Sequence, residues 1–202
     1  MSDSVIVIGG GGHAKVVIDC IQSAGDAVRG ILDDTLPAGE RVLGVPVLGG
    51  TDLWKEFTEY PFLIAVGNNE IRRTLSKKIS ARWYTAIHPS ATVSRYASVE
   101  EGSVILPRAV INAGARVGRH CIVNTAAIVE HDCLIGDFAH ISPCAALAGS
   151  VIVGCATQIG IGASVKNGVS ICEDCTVGAG AAVIKSITEK GVYAGVPARR
   201  IK

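Results

Sequence analysis

Two of the five histidines in this 202-residue sequence stand among residues that could do chemistry. His131 lies in the run Glu130-His131-Asp132-Cys133, and His140 follows nine residues later. Histidine has the side chain whose ordinary pKa suits proton transfer near neutral pH, and a neighbouring carboxylate raises its basicity by favouring the imidazolium. His131 with Asp132 therefore reads as a general base with its activator. His88 and His120 lack such neighbours and read as structural or solvated. A second group is Gly9-Gly10-Gly11-Gly12-His13-Ala14, which fits G-x-G-x-x-A and has Asp33 and Asp34 about twenty residues on. Glycines there would let the backbone approach a phosphate at a helix N-terminus, where free N–H groups and the helix dipole favour an anion. The pair Cys172-x-x-Cys175 offers half a metal site. Without a second pair it reads as buried thiols, and no metal is expected.

Two kinds of sequence must position these residues. Residues 5–8 are an apolar strand feeding the glycine run. A helix follows, with Val16, Val17, Cys20, Ile21 and Ala24 along one side and Gly25 as its stop. Residues 30–34 read as a second strand ending in two acids, 42–48 as a short extended piece, and 62–66 as a third strand running into Gly67. The next helix spaces Ile71, Leu75 and Ile79 four apart. This β-α-β-(β)-β-α order gives residues 1–84 as a Rossmann-like α/β half domain with a parallel sheet. All three strands end in polar or glycine-rich turns at one sheet edge, which favours a bound ligand. So short a unit supplies one mononucleotide half, which argues against NAD.

After residue 87 the grammar changes to a period of six. Every sixth residue from Ile87 to Val183 is Ile, Val or Leu, with no insertion. Two places before each, from Val93 on, stands Ala, Ser, Cys or Thr, except at Val151 and Val169, and glycine often follows, as at Gly118, Gly136, Gly154, Gly160 and Gly178. Such a period is neither helical nor a plain alternation. It suits a parallel β-helix in which each flat face takes one hexapeptide and 18 residues make one triangular coil. The aliphatic residue would point into the prism and the small one would fill the corner beside it. Cys121, Cys133 and Cys175 take the small-residue slot. Residues 85–186 hold five to six coils, leaving 187–202 as a C-terminal tail. His131 and His140 fall outside the inward slot, at corners or outer faces open to a ligand or a neighbouring subunit.

Composition narrows the partners. Lys and Arg number 19 against 18 Asp and Glu, a net charge of +1. That balance lacks the basic field that nucleic acids and anionic membranes attract. The acidic opening Met1-Ser2-Asp3-Ser4 and the shortness of the apolar run at 5–8 argue against a signal peptide or membrane insertion. Seven cysteines in no framework spacing suit free thiols in the cytoplasm.

The segments 9–13, 30–34, 65–72 (Ala-Val-Gly-Asn-Asn-Glu-Ile-Arg) and 124–133 together resemble the sialic acid O-acetyltransferase-like sugar acetyltransferases. These are hexapeptide-repeat acyltransferases with a left-handed parallel β-helix, and the ending Gly195-Val196-Pro197-Ala198-Arg199 is like their common tail. The chain is most similar to bacterial enzymes that N-acetylate nucleotide-linked 4-amino-4,6-dideoxy sugars. The resemblance implies acetyl-CoA as co-substrate, a UDP- or GDP-linked amino sugar as acceptor, and a homotrimer with acetyl-CoA between prisms. It implies His131 as the base and Asp132 as its activator. It further implies Gly11, Gly12, His13, Asp33, Asp34 and Gly67 in the nucleotide-sugar pocket, and His140, Ile161 and Ala179 along acetyl-CoA. Position 179 is glycine in that family, and a backbone N–H contact there would survive alanine. Three other readings stay open. An O-acetyltransferase of a sialic-acid-like sugar would use the same base. A γ-carbonic-anhydrase-like metal enzyme would need a closer histidine spacing, and a non-catalytic trimeric scaffold would need neither histidine.

Overall fold

The computed structural model describes residues 4–202; Met1, Ser2 and Asp3 of the acidic opening lie outside the described residues. Strand β1 (Ser4–Ile8) is apolar and fully buried from Val5 to Ile8, as a central parallel strand covered on both faces should be. Its parallel neighbours are β2 (Ala27–Leu32) and β5 (Phe62–Ile64). The stretch read as one extended piece is instead a hairpin of β3 (Arg41–Val42) and β4 (Val45–Gly49). Both residues of its two-residue turn, Leu43 and Gly44, have positive φ (48° and 80°), the conformation that matches the twist of paired strands. The five-stranded sheet runs β3-β4-β2-β1-β5.

Helix α1 (Gly12–Ser23) buries Ala14, Val17, Ile18, Cys20 and Ile21, while Val16 is exposed. The inward stripe is thus 14, 17, 18 and 21, the spacing that keeps side chains on one helical face. Helix α2 (Asn69–Lys78) is capped by the Asn68 side chain, which accepts from Ile71 N at 3.0 Å. Of the expected apolar face, Ile79 is buried and Leu75 packs against the same cluster, while Ile71 is half exposed; within the helix the wholly buried residue is Arg72.

From residue 86 the chain winds as a left-handed parallel β-helix. Each face is a ladder of two-residue strands pairing with the strand one coil on, as in Ile128↔Ala146 and Val129↔Leu147. The first face holds pairs such as 122–123, 140–141 and 158–159; the second holds 128–129 and 146–147; the third holds 134–135 and 152–153. From Ile105 to Val183 the aliphatic column is buried in single file with the small residues beside it, including Cys121, Cys133 and Cys175. Each corner carries a residue in the left-handed region every sixth position from Gly102 to Gly180, and nine of these are not glycine. The sequence does not announce this, because Arg, His, Phe and Asp all serve in that slot.

The two parts share one apolar cluster. Ala14, Val17, Ile18 and Ile21 of α1 pack with Ala86, Val104, Leu106 and Ile122 on the outside of the first face. At the far end Val192–Ala194 extends that face, and Arg199–Arg200 returns antiparallel to close its edge. Among the described residues no helix is long and apolar enough to cross a membrane.

Candidate active site

Asp132 sits in the left-handed corner slot (φ 60°), which aspartate tolerates better than most residues. That corner, between the second and third faces, presents His131 and Asp132 outward, their side chains 61% and 66% exposed. His131 Nδ1 lies 2.8 Å from Asp132 Oδ2. This hydrogen bond is the main cause of a raised His131 pKa, with the charges of Asp132 and Glu130 adding to it. With Nδ1–H donated to the carboxylate, Nε2 is left as the basic nitrogen.

Two glycines make room for this pair. A Cβ at Gly114, one coil before Asp132, would lie 2.4 Å from its Oδ1; one at Gly149, one coil after His131, would lie 2.4 Å from Nε2. Neither was singled out from sequence. The signal was there in the 18-residue offset, once corners are known to stack.

His140 stands on the outer side of the first face, as a strand residue, and is corrected in its openness: it is only 8% exposed, beneath the N-terminal domain. Its ring centroid is 6.4 Å from that of His13. Asn124 Nδ2 lies 3.0 Å from His140 Nε2, so Nε2 accepts and the neutral ring carries its proton on Nδ1. Burial, followed by the charge of Arg72, pushes His140 down to about 3 and His13 to about 4. His140 Nδ1 and His13 Nε2 are buried atoms with no hydrogen-bond partner among the described residues. His120 is structural, stacked on Phe138 and edge-on to Trp83.

Gly11 and Gly12 start α1 exposed, with open space where a Cβ would stand, so packing does not account for them. Asp33 is occupied by the loop: it accepts from Gly10 N, Thr35 N, Thr35 Oγ1 and Leu36 N. Those bonds outweigh its burial and lower its pKa. Asp34 accepts from Thr51 N and Oγ1. Both carboxylates thus shape a cavity of about 280 Å³ lined by Gly9, Asp33, Asp34, Thr35, Thr51 and Val66 among others. Gly67 faces His13: a Cβ there would come to 4.0 Å of the ring's Cγ. Ile161 and Ala179 are exposed at stacked corners between the first and second faces, Gly180 N donating to Ile161 O. A Cβ on the adjoining Gly160 would strike Ala179 N at 2.8 Å.

The expected residues therefore form three groups. His131 and Asp132 occupy the edge between the second and third faces, Ile161 and Ala179 the edge between the first and second. His13, Gly67 and His140 gather on the first face. In a triangular prism the first face is opposite the edge that carries His131. One chain does not bring the base to the pocket. Among the described residues no three His, Cys, Asp or Glu side chains cluster as a metal site would need.

Comparisons with known proteins give a consistent picture. Residues 4–79 match the PglD N-terminal domain family. A 108-residue stretch, half of this chain and half of that relative, is 42% identical to UDP-N-acetylbacillosamine N-acetyltransferase of Bacillus subtilis (strain 168). PerB of Caulobacter crescentus, solved with CoA and GDP-perosamine, is 39% identical with a TM-score of 0.93, covering 98% of this chain and 97% of that one. The acetyltransferase domain of PglB from Neisseria gonorrhoeae FA1090, in complex with acetyl coenzyme A, is 38% identical with a TM-score of 0.94, over 100% of both chains.

Proposed function

Because this chain belongs to the sugar N-acetyltransferase family of these relatives, we propose that it moves an acetyl group from acetyl-CoA to the 4-amino group of a UDP- or GDP-linked 4-amino-4,6-dideoxy sugar. His131 Nε2 takes the amine proton as nitrogen attacks the thioester carbonyl. Asp132 holds the ring and supports its charge. The tetrahedral intermediate then collapses, expelling the CoA thiolate, which receives a proton from the imidazolium or from water. His13, Gly11, Gly12, Gly67, Asp33 and Asp34 form the nucleotide-sugar pocket, and His140, Ile161 and Ala179 meet acetyl-CoA. No metal or covalent intermediate takes part. The reading assigns 1–84 to sugar binding, 85–186 to acetyl transfer and 187–202 to a tail, in a cytoplasmic enzyme of glycan or polysaccharide synthesis.

The observation that carries this reading is the Nδ1–Oδ2 bond of 2.8 Å, which leaves a raised-pKa base with a free nitrogen at an exposed edge. The separation of the three groups supports a homotrimer. Outward on the second face stand Thr92, Val110, Ile128, Ala146, Ser164 and Ala182, small or apolar residues suited to close packing. Three copies with these faces around a threefold axis set each His131 edge beside a neighbour's Ile161 edge. The base of one protomer then reaches the substrates of the next.

An acetyl-transfer assay read by mass spectrometry tests this. Protein and acetyl-CoA are offered UDP- and GDP-linked 4-amino sugars beside free and CMP-linked sialic acid. One acetyl gained on a 4-amino sugar, and lost in His131→Ala, is the expected result. Acetylation of sialic acid alone moves the protein to O-acetyl transfer, and unchanged turnover in His131→Ala removes the assigned base.

A further inference from the structure

Arg72 is 1% exposed, and every group it reaches by hydrogen bond is neutral. Its Nη1 donates to Val66 O at 2.9 Å and to Gly67 O at 3.2 Å. Its Nη2 donates to Asn69 Oδ1 at 2.8 Å and to Phe138 O at 2.7 Å, and Nε to His120 O at 2.7 Å. Three acceptors belong to the N-terminal domain and two to the corners of successive coils. A buried ion without a counter-charge is costly, and an aliphatic residue of similar volume would fill the space at less cost. What an aliphatic residue could not do is fix five acceptors relative to one another, which a rigid planar fork does.

We propose that Arg72 is a positioning residue for acetyl transfer: its guanidinium ties the turn at 66–67 to two successive coils and so sets His13 at the sugar pocket beside His140, the histidine assigned to acetyl-CoA. Gly67 is the link, because it receives Arg72 Nη1 on its carbonyl and faces His13 closely enough that a Cβ there would come to 4.0 Å of the ring's Cγ. His140 comes from the first face, on the strand that follows the Phe138 corner held by Nη2. The pair at 6.4 Å is thus spanned on both sides by the same side chain. Its charge has a second effect. Lying near both rings with no carboxylate partner among the described residues, it adds to burial in holding His13 and His140 neutral.

This inference rests on the acetyl-transfer reading, and the experiment separates the two. Wild type, Arg72→Lys and Arg72→Met are compared by steady-state kinetics on whichever nucleotide-linked amino sugar the wild type acetylates, with melting temperatures alongside. Arg72→Lys keeps the charge but cannot span five acceptors, so KM for the sugar nucleotide rises about fivefold; in Arg72→Met it rises tenfold or more. A lower melting temperature with KM unchanged in Arg72→Lys means a merely structural residue and overturns the proposal. Arg72→Lys decides alone if the methionine variant does not fold. If neither folds, Asn69→Asp, which keeps the acceptor for Arg72 but loses the Nδ2 bond to Ala156 O, is set beside Asn69→Ala, which loses both. A KM rise of about threefold in the alanine variant beyond that of the aspartate variant is expected, and equal KM values overturn the proposal. Should the wild type transfer acetyl to no sugar, the functional reading fails by itself. Calorimetric binding of UDP and GDP to wild type and Arg72→Lys then tests positioning: equal affinities overturn it, and weakened binding in the variant sustains it.

Discussion

Gly149→Ala is a one-methyl test of whether His131 works from where it stands. The new Cβ would lie 2.4 Å from Nε2 and 2.5 Å from Cε1 of the imidazole. Ordinary contact needs about 3.5 Å, so the ring must retreat by about 1 Å. Gly149 does not occupy the left-handed region, so alanine fits the backbone without strain. The ring is exposed and can swing aside at little cost in stability. The nitrogen proposed to meet the amine therefore moves while the fold does not. A displacement of this size costs on the order of 10²-fold in rate, or about 2.7 kcal/mol of transition-state stabilisation. The assay is the initial rate of acetyl transfer at saturating acetyl-CoA and sugar nucleotide, beside a thermal melt. The expected result is a kcat about a hundredfold lower with melting unchanged. A kcat within threefold of wild type in a protein that melts normally would refute the reasoning, because the base would not be needed at that position.

Asp132→Asn removes the main cause of the raised His131 pKa. The base must be neutral to act, so activity rises with pH through the pKa. In the variant this rise comes at lower pH and reaches a lower plateau; a pH profile of kcat/KM with an unmoved acid limb would contradict the pairing. Acid should also loosen the fold. His13, His120 and His140 stay neutral in the folded chain down to about 4, 4 and 3, whereas in the unfolded chain each takes a proton near 6.5. The unfolded state binds more protons below that value, so stability is fully present above pH 6.5 and falls toward pH 4 with a slope of up to about three protons. Melting temperatures from pH 7 to 4.5 follow this, and His120→Phe, which keeps the stacking on Phe138, should remove about one proton from the slope.

How much was legible follows the kind of signal each part sends. The coil announced itself because its core is one residue wide, so the inward slot accepts only Ile, Val or Leu from Ile87 to Val183. The half domain was legible from its strand and turn chemistry, but the buried charge on α2 was not. Leu75 and Ile79 keep to the core as their spacing suggests, yet Ile71 is half exposed and Arg72 is buried, because two of the carbonyls that hold its charge come only from the folded coil. His131 and Asp132 were readable because adjacent residues report their own contact. The burial of His140 was not legible because it comes from a helix and a glycine turn far away in sequence. Gly114 and Gly149 were hidden for a related reason, since their meaning lies in residues 18 positions off.

The coil also restricts how a chain of this kind can change length. Each strand of two residues is held by the strand 18 positions on, and the left-handed corner returns every sixth residue without exception between Gly102 and Gly180. Inserting one to five residues breaks the column of corners. Inserting six preserves the corners but moves everything beyond by one face. Only a whole coil leaves every later residue on its own face, lifted by one strand spacing of about 4.8 Å. Lineages sharing this architecture are therefore free to lengthen or shorten it in units of 18. The tether from Arg72 to the corners at 120 and 138 fixes which coils must stay beside the N-terminal domain. Asn69 Nδ2, which donates to Ala156 O, and Arg73, which pairs with Asp174, extend the tie to later coils, so growth is permitted only beyond Ala179, where neither those ties nor the assigned site residues are disturbed.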